Sequence, residues 1–280
     1  MPLAKQQVLN LASDLTATAN RAVRRVPQRH RLLISALLTA VAAAAAWSHI
    51  TGTAGSRGDA DVNILMIGNS FTGPIPPLLS GLLTSSGRNA RVAMIAPGGW
   101  TLQQHAASRG TLDKIGSQRW THVVLQEQSQ IPALPERNTM MLPAVRALSA
   151  EIRRQHAAVI LYQTWGKRTG DRENVKEDSF TAMQARLRAG YRAASDETGA
   201  SIAAAGDAWE LVLSRSTGFS LWAPDGSHPS HHGAYIAACA LFAAITQQSP
   251  VGLTFTAGLP SADVRLLQQA VAEAAGLSRP

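Results

Sequence analysis

With 280 residues, the chain has room for one sizeable core domain and an appendage; it is too long for a small cross-linked scaffold and too short for several large domains. Hydrophobic residues make up 45% of it and charged residues 16%, which excludes a highly charged disordered chain, and one cysteine excludes an internal disulfide, a cysteine-based zinc cluster and a CxxC redox pair. Most of the net charge of +8 sits at the N-terminus, where Lys5, Arg21, Arg24, Arg25, Arg29 and Arg31 face only Asp14; no basic stripe interleaved with aromatics follows, so nucleic acid is not an expected partner.

The basic head, residues 1–31, leads into LLISALLTAVAAAAAWSHI at 32–50, whose 19 uncharged residues approach the roughly 20 needed to cross a bilayer. A transmembrane anchor or an export signal is expected there. The long charged head favours an uncleaved anchor, while the alanines and the following TGTAGSRG leave signal cleavage open. Arg24-Arg25 lacks the apolar residues that follow a twin-arginine signal. A buried Ala-rich core helix with a basic tail is the remaining alternative. As an anchor, this segment would be the chain's contact with the membrane. Its arginines would stay cytoplasmic and the rest of the chain would lie outside the cytoplasm, in the cell envelope. Residues 51–61, TGTAGSRGDAD, are small and polar and predict a linker to a folded domain spanning 62–280.

That domain alternates short apolar runs with longer amphipathic ones. VNILMIG (62–68), ARVAMIA (90–96), THVVLQEQ (121–128), AAVILYQTW (157–165) and ASIAAAG (200–206) have strand length and predict strands buried on both faces. Helices are expected at 75–86, 101–115, 139–156, 179–198, 232–246 and 262–277. Strand followed by helix, repeated five times, predicts a three-layer α/β/α fold on a five-stranded parallel sheet, with an added hydrophobic helix at the N-terminus. Ligands of such sheets bind at the carboxyl ends of the strands, so the residues just beyond each strand are where chemistry is expected. Cys239, in the apolar run AYIAACALFAAI, reads as a small buried hydrophobe.

After the first strand, Ser70 in Gly68-Asn69-Ser70-Phe71-Thr72 precedes a helix opened by Pro74, Pro76 and Pro77. It is either an N-cap or a nucleophile whose developing oxyanion meets helix N–H groups. Near the C-terminus, Asp225 and His228 stand three apart in DGSHP. This spacing lets the carboxylate orient the imidazole through Nδ1–H while Nε2 faces out as a general base. His228, His231 and His232 also raise a metal reading, but the local carboxylate makes a Ser-His-Asp site more economical, and neither metal nor cofactor is expected.

GNSFT after the first strand, GGWTL after the second, VVLQEQS in the third and DGSHPSHHG before the last helices together resemble the SGNH hydrolase superfamily, the GDSL-type lipases and esterases. The resemblance covers roughly residues 62–247. It implies a flavodoxin-like fold with Ser70 as nucleophile, His228 as base and Asp225 as its orienting acid. It also implies an oxyanion hole made by the amides of Ser70 and Gly99 and by a side-chain amide. Asn69 replaces the usual aspartate of the first block, and the third block has Gln126-Glu127-Gln128 where GxND is usual. This third block resembles variants in carbohydrate O-acetylesterase relatives. Gln126 matches them best, but Gln128 shares its strand face by period two, and Glu127 points the other way. Trp100, Trp165 and Trp222 fall at the carboxyl-end rim, either stacking on a sugar or acyl substrate or packing under the loops. The expectation is a serine esterase acting on short acyl esters, acetyl above all, of a small molecule or an envelope glycan. An acyltransferase at the same site and a non-catalytic glycan-binding domain of the same fold are the alternatives.

Overall fold

β-Branched and aliphatic runs too short for helices build the sheet, and the computed structural model describes residues 62–215 and 217–277. The strands are β1 (Val62–Ile67), β2 (Ala90–Ile95), β3 (His122–Leu125), β4 (Ala158–Gln163) and β5 (Ser201–Ala204). All pair in parallel, in the order β2-β1-β3-β4-β5. The chain leaves β1 for the edge strand β2, then crosses back to build β3 to β5 on the other side. The order reverses between β1 and β3, and ligands of such sheets bind beyond the carboxyl ends at that switch point.

The helices are α1 (Ile75–Ser85), α2 (Leu102–Ala107), α3 (Arg109–Gly116), α4 (Met141–Arg154), α5 (Phe180–Thr198), α6 (Ala205–Leu213), α7 (His231–Thr246) and α8 (Ser261–Ala274). Side-chain alternation along β1 divides them into two layers. Ile64 and Met66 join a core with α1, α6, α7 and α8, whereas Leu65 and Ile67 join one with α2, α3, α4 and α5. Each large apolar side chain buried in these cores contributes about 1.5–3 kcal/mol relative to exposure. Helix α7 is apolar nearly all round because the layer surrounds it, and Cys239 lies within it, fully buried, with its thiol pKa pushed up by that burial.

Two elements depart from the expected pattern. The single helix expected at 101–115 is broken at Ser108, whose backbone is extended and whose Oγ accepts the Thr111 amide to cap α3. Helix α6 has no counterpart among the expected helices. β5 runs into it through Ala204 (φ −81°, ψ 55°) with no intervening Gly, Pro or Asn, so the alanine-rich junction carries no turn signal. The basic head, the hydrophobic segment at 32–50 and the linker lie outside the described residues. Among the described residues no helix is long and apolar enough to cross a membrane.

The first turn of α7 approaches the segment before the DGSHP loop closely at Gly233, where an added Cβ would overlap the Leu221 carbonyl and the Trp209 ring. Gly233→Ala is expected to cost about 1–3 kcal/mol through overpacking, read as a lowered Tm in a thermal melt; an unchanged Tm would mean that this approach yields freely.

Candidate active site

Loops beyond the carboxyl ends of the sheet bring together the three residues singled out by the sequence. His228 Nδ1 is 2.6 Å from Asp225 Oδ2, and His228 Nε2 is 2.9 Å from Ser70 Oγ across 158 residues of chain. Asp225 Oδ1 accepts the amides of Ser227 (2.9 Å) and His228 (3.0 Å). The Ser227 amide is the chief cause that holds the Asp225 carboxyl below the usual carboxylate range, with the His228 contacts adding to it. An ionised carboxylate only accepts, so the imidazole proton sits on Nδ1 and Nε2 accepts from the Ser70 hydroxyl. This is the protonation pattern that a serine nucleophile and its general base require.

The DGSHP loop is held by its backbone and by two indoles. The Ala223 amide donates to the His228 carbonyl (2.8 Å), Ser230 to Leu221 (2.8 Å) and Arg168 to Gly226 (2.8 Å). Trp165 Nε1 donates to the Ser227 carbonyl (3.0 Å), and its ring stacks between Phe71 (5.1 Å) and Trp209 (4.0 Å). Phe71, next to Ser70, also meets the His228 ring edge-on at 5.1 Å. Trp222 Nε1 donates to the Gly166 carbonyl (3.0 Å). Trp165 is 1% exposed and Trp222 8%, so neither offers a stacking face at the rim; both fix the histidine loop from beneath. Each of these two buried indole N–H groups finds a carbonyl, Trp165 that of Ser227 in the loop and Trp222 that of Gly166 beyond β4. Trp100 alone of the three keeps a partly exposed ring, packed on one side against His105.

Ser70 is exposed and precedes α1 by several residues, in a run of turns in which Thr72 donates to Asn69 (2.9 Å) and Gly73 to Ser70 (3.3 Å). It therefore does not occupy the helix N-terminus. The turn is pinned from β3: Gln126 Oε1 accepts the Asn69 amide (2.9 Å) and the Thr72 hydroxyl (3.0 Å). Gly68 is required here, since a Cβ would strike Gln126 Oε1 and Thr72 Oγ1. The acceptor demanded by the Asn69 amide orients the carboxamide of Gln126, and its Nε2 donates to the Glu127 carbonyl. Gln126 is thus a fully buried brace of the turn that carries Ser70. Gln128 is half-buried and gives one Nε2 hydrogen to Gln130 Oε1 (3.1 Å), which leaves the second for a ligand. The Ser70 and Gly99 amides donate to no other group among the described residues, and Gly99 is exposed with φ +73°.

Three supports lie outside the sequence-derived site. Asn69 Nδ2 donates to the Trp100 carbonyl (2.9 Å), and its Oδ1 accepts from Phe71 (3.2 Å). Buried His105 bridges the Gly68 carbonyl (2.8 Å) and Thr111 Oγ1 (3.0 Å); because a carbonyl only accepts, its Nε2 carries the proton, and burial pushes its pKa down. Glu127 is fully buried. Its Oε1 accepts the amides of Leu102 (3.0 Å) and Gln128 (2.6 Å), and burial raises its carboxyl to about 7 against the pull of those amides. The VLQEQ run marks a polar strand end in the sequence, but each of these three side chains also reaches a partner on another segment, Trp100 for Asn69, Gly68 for His105 and Leu102 for Glu127.

No family model and no curated protein matches the sequence. Among solved structures, a DUF4886 family protein from Bacteroides uniformis superposes with a TM-score of 0.67 at 19% identity, covering 76% of this chain and 94% of its own. A protein assigned to the SGNH hydrolases, from Slackia heliotrinireducens, is 30% identical with a TM-score of 0.57, over 66% of this chain and 98% of its own. The chain belongs to the SGNH hydrolase superfamily. A variant of an acetyl-xylooligosaccharide esterase from Geobacillus shares the SGNH fold with a TM-score of 0.50 at 17% identity, over 66% of this chain and 94% of its own.

Against the GDS pattern of SGNH hydrolases, Asn69 is a donor that an aspartate cannot replace at neutral pH. Asn69→Asp sets a carboxylate against the Trp100 carbonyl, and it is expected to lower stability at pH 7 by about 1–3 kcal/mol. Thermal melts should show the loss shrinking in acid as the new carboxyl takes a proton; a pH-independent Tm equal to wild type would contradict the bond. Glu127 makes a second pH test. Its folded carboxyl is raised from 4.5 to about 7, so the folded state holds the extra proton in that window and stability falls as pH rises through it. Glu127→Gln should remove a component on the order of 3 kcal/mol from the pH dependence of unfolding between pH 4.5 and 8. Identical pH profiles for the two proteins would contradict the raised value.

Proposed function

We propose that this chain is a serine esterase that removes short acyl groups, acetyl foremost, from a carbohydrate outside the cytoplasm. The observation that carries this reading is the pair of contacts at His228, 2.9 Å to Ser70 Oγ and 2.6 Å to Asp225 Oδ2. Ser70 Oγ bonds the acyl carbon as its proton passes to His228 Nε2; the imidazolium returns that proton to the departing alcohol oxygen as the ester bond breaks. Water then attacks the acyl-serine, giving its proton to Nε2, and the same proton restores the serine hydroxyl as the carboxylic acid leaves. Asp225 stays ionised and steadies the imidazolium.

The oxyanion is received by the amides of Ser70 and Gly99 and by Gln128 Nε2. Gln128 takes the side-chain role because Gln126 is fully buried in its bonds to the nucleophile turn, whereas Gln128 is half-buried and keeps a free donor hydrogen. A small acyl group on a bulky alcohol suits a site at the surface: Ser70 is exposed, and the side chains of His228 and Asp225 are 44% and 50% exposed. Trp100, beside Gly99, offers an aromatic face for a sugar ring. The similarity to an acetyl-xylooligosaccharide esterase points the same way. Anchorage through residues 32–50 would set the domain beside envelope glycans, with residues 51–61 as the tether.

Activity against p-nitrophenyl esters of increasing chain length tests this. Acetate should be turned over fastest, and Ser70→Ala and His228→Ala should each cut kcat by about 10³–10⁶ with Asp225→Asn somewhat milder, in proteins that melt like wild type. Undiminished turnover by Ser70→Ala would sink the mechanism, and a preference for long chains would sink the acetyl assignment.

A further inference from the structure

Beyond β3 the side chains of Gln126 and Glu127 leave the backbone in opposite directions, and each reaches a different loop. Gln126 holds the nucleophile turn through the Asn69 amide and the Thr72 hydroxyl. Glu127 turns toward the segment after β2, where its Oε1 accepts the Leu102 amide at 3.0 Å while also accepting the Gln128 amide at 2.6 Å. One oxygen atom therefore joins the loop that carries Gly99 to the loop that carries Gln128. Asn69 holds the Gly99 loop from its other side, through the Trp100 carbonyl at 2.9 Å.

A fully buried carboxyl is an expensive way to satisfy two amides, since its ionised form loses solvation and its second oxygen, Oε2, has no hydrogen-bond partner among the described residues. Its neighbour Tyr191 is itself fully buried and cannot solvate a charge as water does. Helix α2 already has a short cap in Thr101, whose Oγ accepts the Gln104 amide, so Glu127 is not needed to start the helix. What a short cap cannot do is span two loops. The geometry points to Glu127 as the positioning residue of the oxyanion hole: by bonding the Leu102 and Gln128 amides to one oxygen, it sets the separation of the Gly99 and Gln128 donors. This rests on the esterase reading above. Glu127 touches neither the nucleophile nor its base, so its effect falls on the transition state, where the oxyanion forms, and little on ester binding.

Glu127→Met keeps the buried volume and removes the acceptor, while Glu127→Gln keeps an acceptor oxygen at the same reach. With p-nitrophenyl acetate, Glu127→Met is expected to lower kcat about 10²-fold with KM within about threefold, and Glu127→Gln to recover to within about tenfold of wild type. In parallel, amide hydrogen exchange of residues 98–104 and 126–130 should quicken at least about tenfold in Glu127→Met, remain near wild type in Glu127→Gln, and be unchanged in β1 and α7 of both. Should Glu127→Met not fold, Glu127→Asp, which withdraws the oxygen by one methylene, takes its place. Wild-type kcat in the acceptor-less variant, a loss shown equally by Glu127→Gln, or unchanged exchange in the two loops would overturn the proposal. If the wild-type protein hydrolyses no ester and Ser70 does not react with a fluorophosphonate, the esterase reading fails on its own; the exchange comparison still decides whether Glu127 holds the loops.

Discussion

A single hydrogen bond, from the Ser70 hydroxyl to His228 Nε2, joins the first turn of the domain to the last loop before α7, and the architecture is organised around keeping it. Neither residue lies in a helix or strand. Each sits on a loop beyond the carboxyl end of the sheet, so neither gains rigidity from its own ladder of backbone bonds. The parallel sheet brings the two loops to the same edge, and side chains and backbone from their neighbours hold them in register.

The two sides are held by different physics. The histidine loop rests on aromatic area: Trp165 lies between Phe71 and Trp209, and its indole N–H takes the Ser227 carbonyl beside Asp225 and His228. Because Phe71 adjoins Ser70 and also meets the His228 ring, the same stack couples Ser70 to His228. The serine side is held by buried polar groups, with Asn69, Gln126, Glu127 and His105 each spending donors or acceptors on the backbone of a neighbouring loop. Such networks orient well only when they are satisfied nearly throughout, since a buried polar group left alone costs about 1–3 kcal/mol.

The sheet, the layer arrangement and the Ser70, Asp225 and His228 positions were legible in the sequence because each has a local signature: charge-free runs of strand length, a serine after a strand, a carboxylate three residues before a histidine. The choices that the sequence left open depended on contacts between distant segments. Period-two alternation makes Gln126 and Gln128 equivalent, yet β3 ends at Leu125, and beyond it each side chain follows whichever loop offers a partner. Trp165 and Trp222 stand where rim residues belong in the sequence, but their burial is set by Trp209 of α6 and by α5, elements far along the chain. Helix α6 was hidden because alanines serve strand and helix alike, and the break at Ser108 because a serine within a helical run reads equally as an interior residue or a cap.

The most direct test of the account is the crystal structure of the protein after reaction with a small fluorophosphonate, whose phosphoryl oxygen stands in for the oxyanion of an acyl transfer. The account predicts phosphorus bonded to Ser70 Oγ, with its oxygen about 2.7–3.1 Å from the amides of Ser70 and Gly99 and from Gln128 Nε2. His228 should remain bonded to Asp225. An adduct on a different residue, or a phosphoryl oxygen turned to solvent with those three donors out of reach, would contradict it.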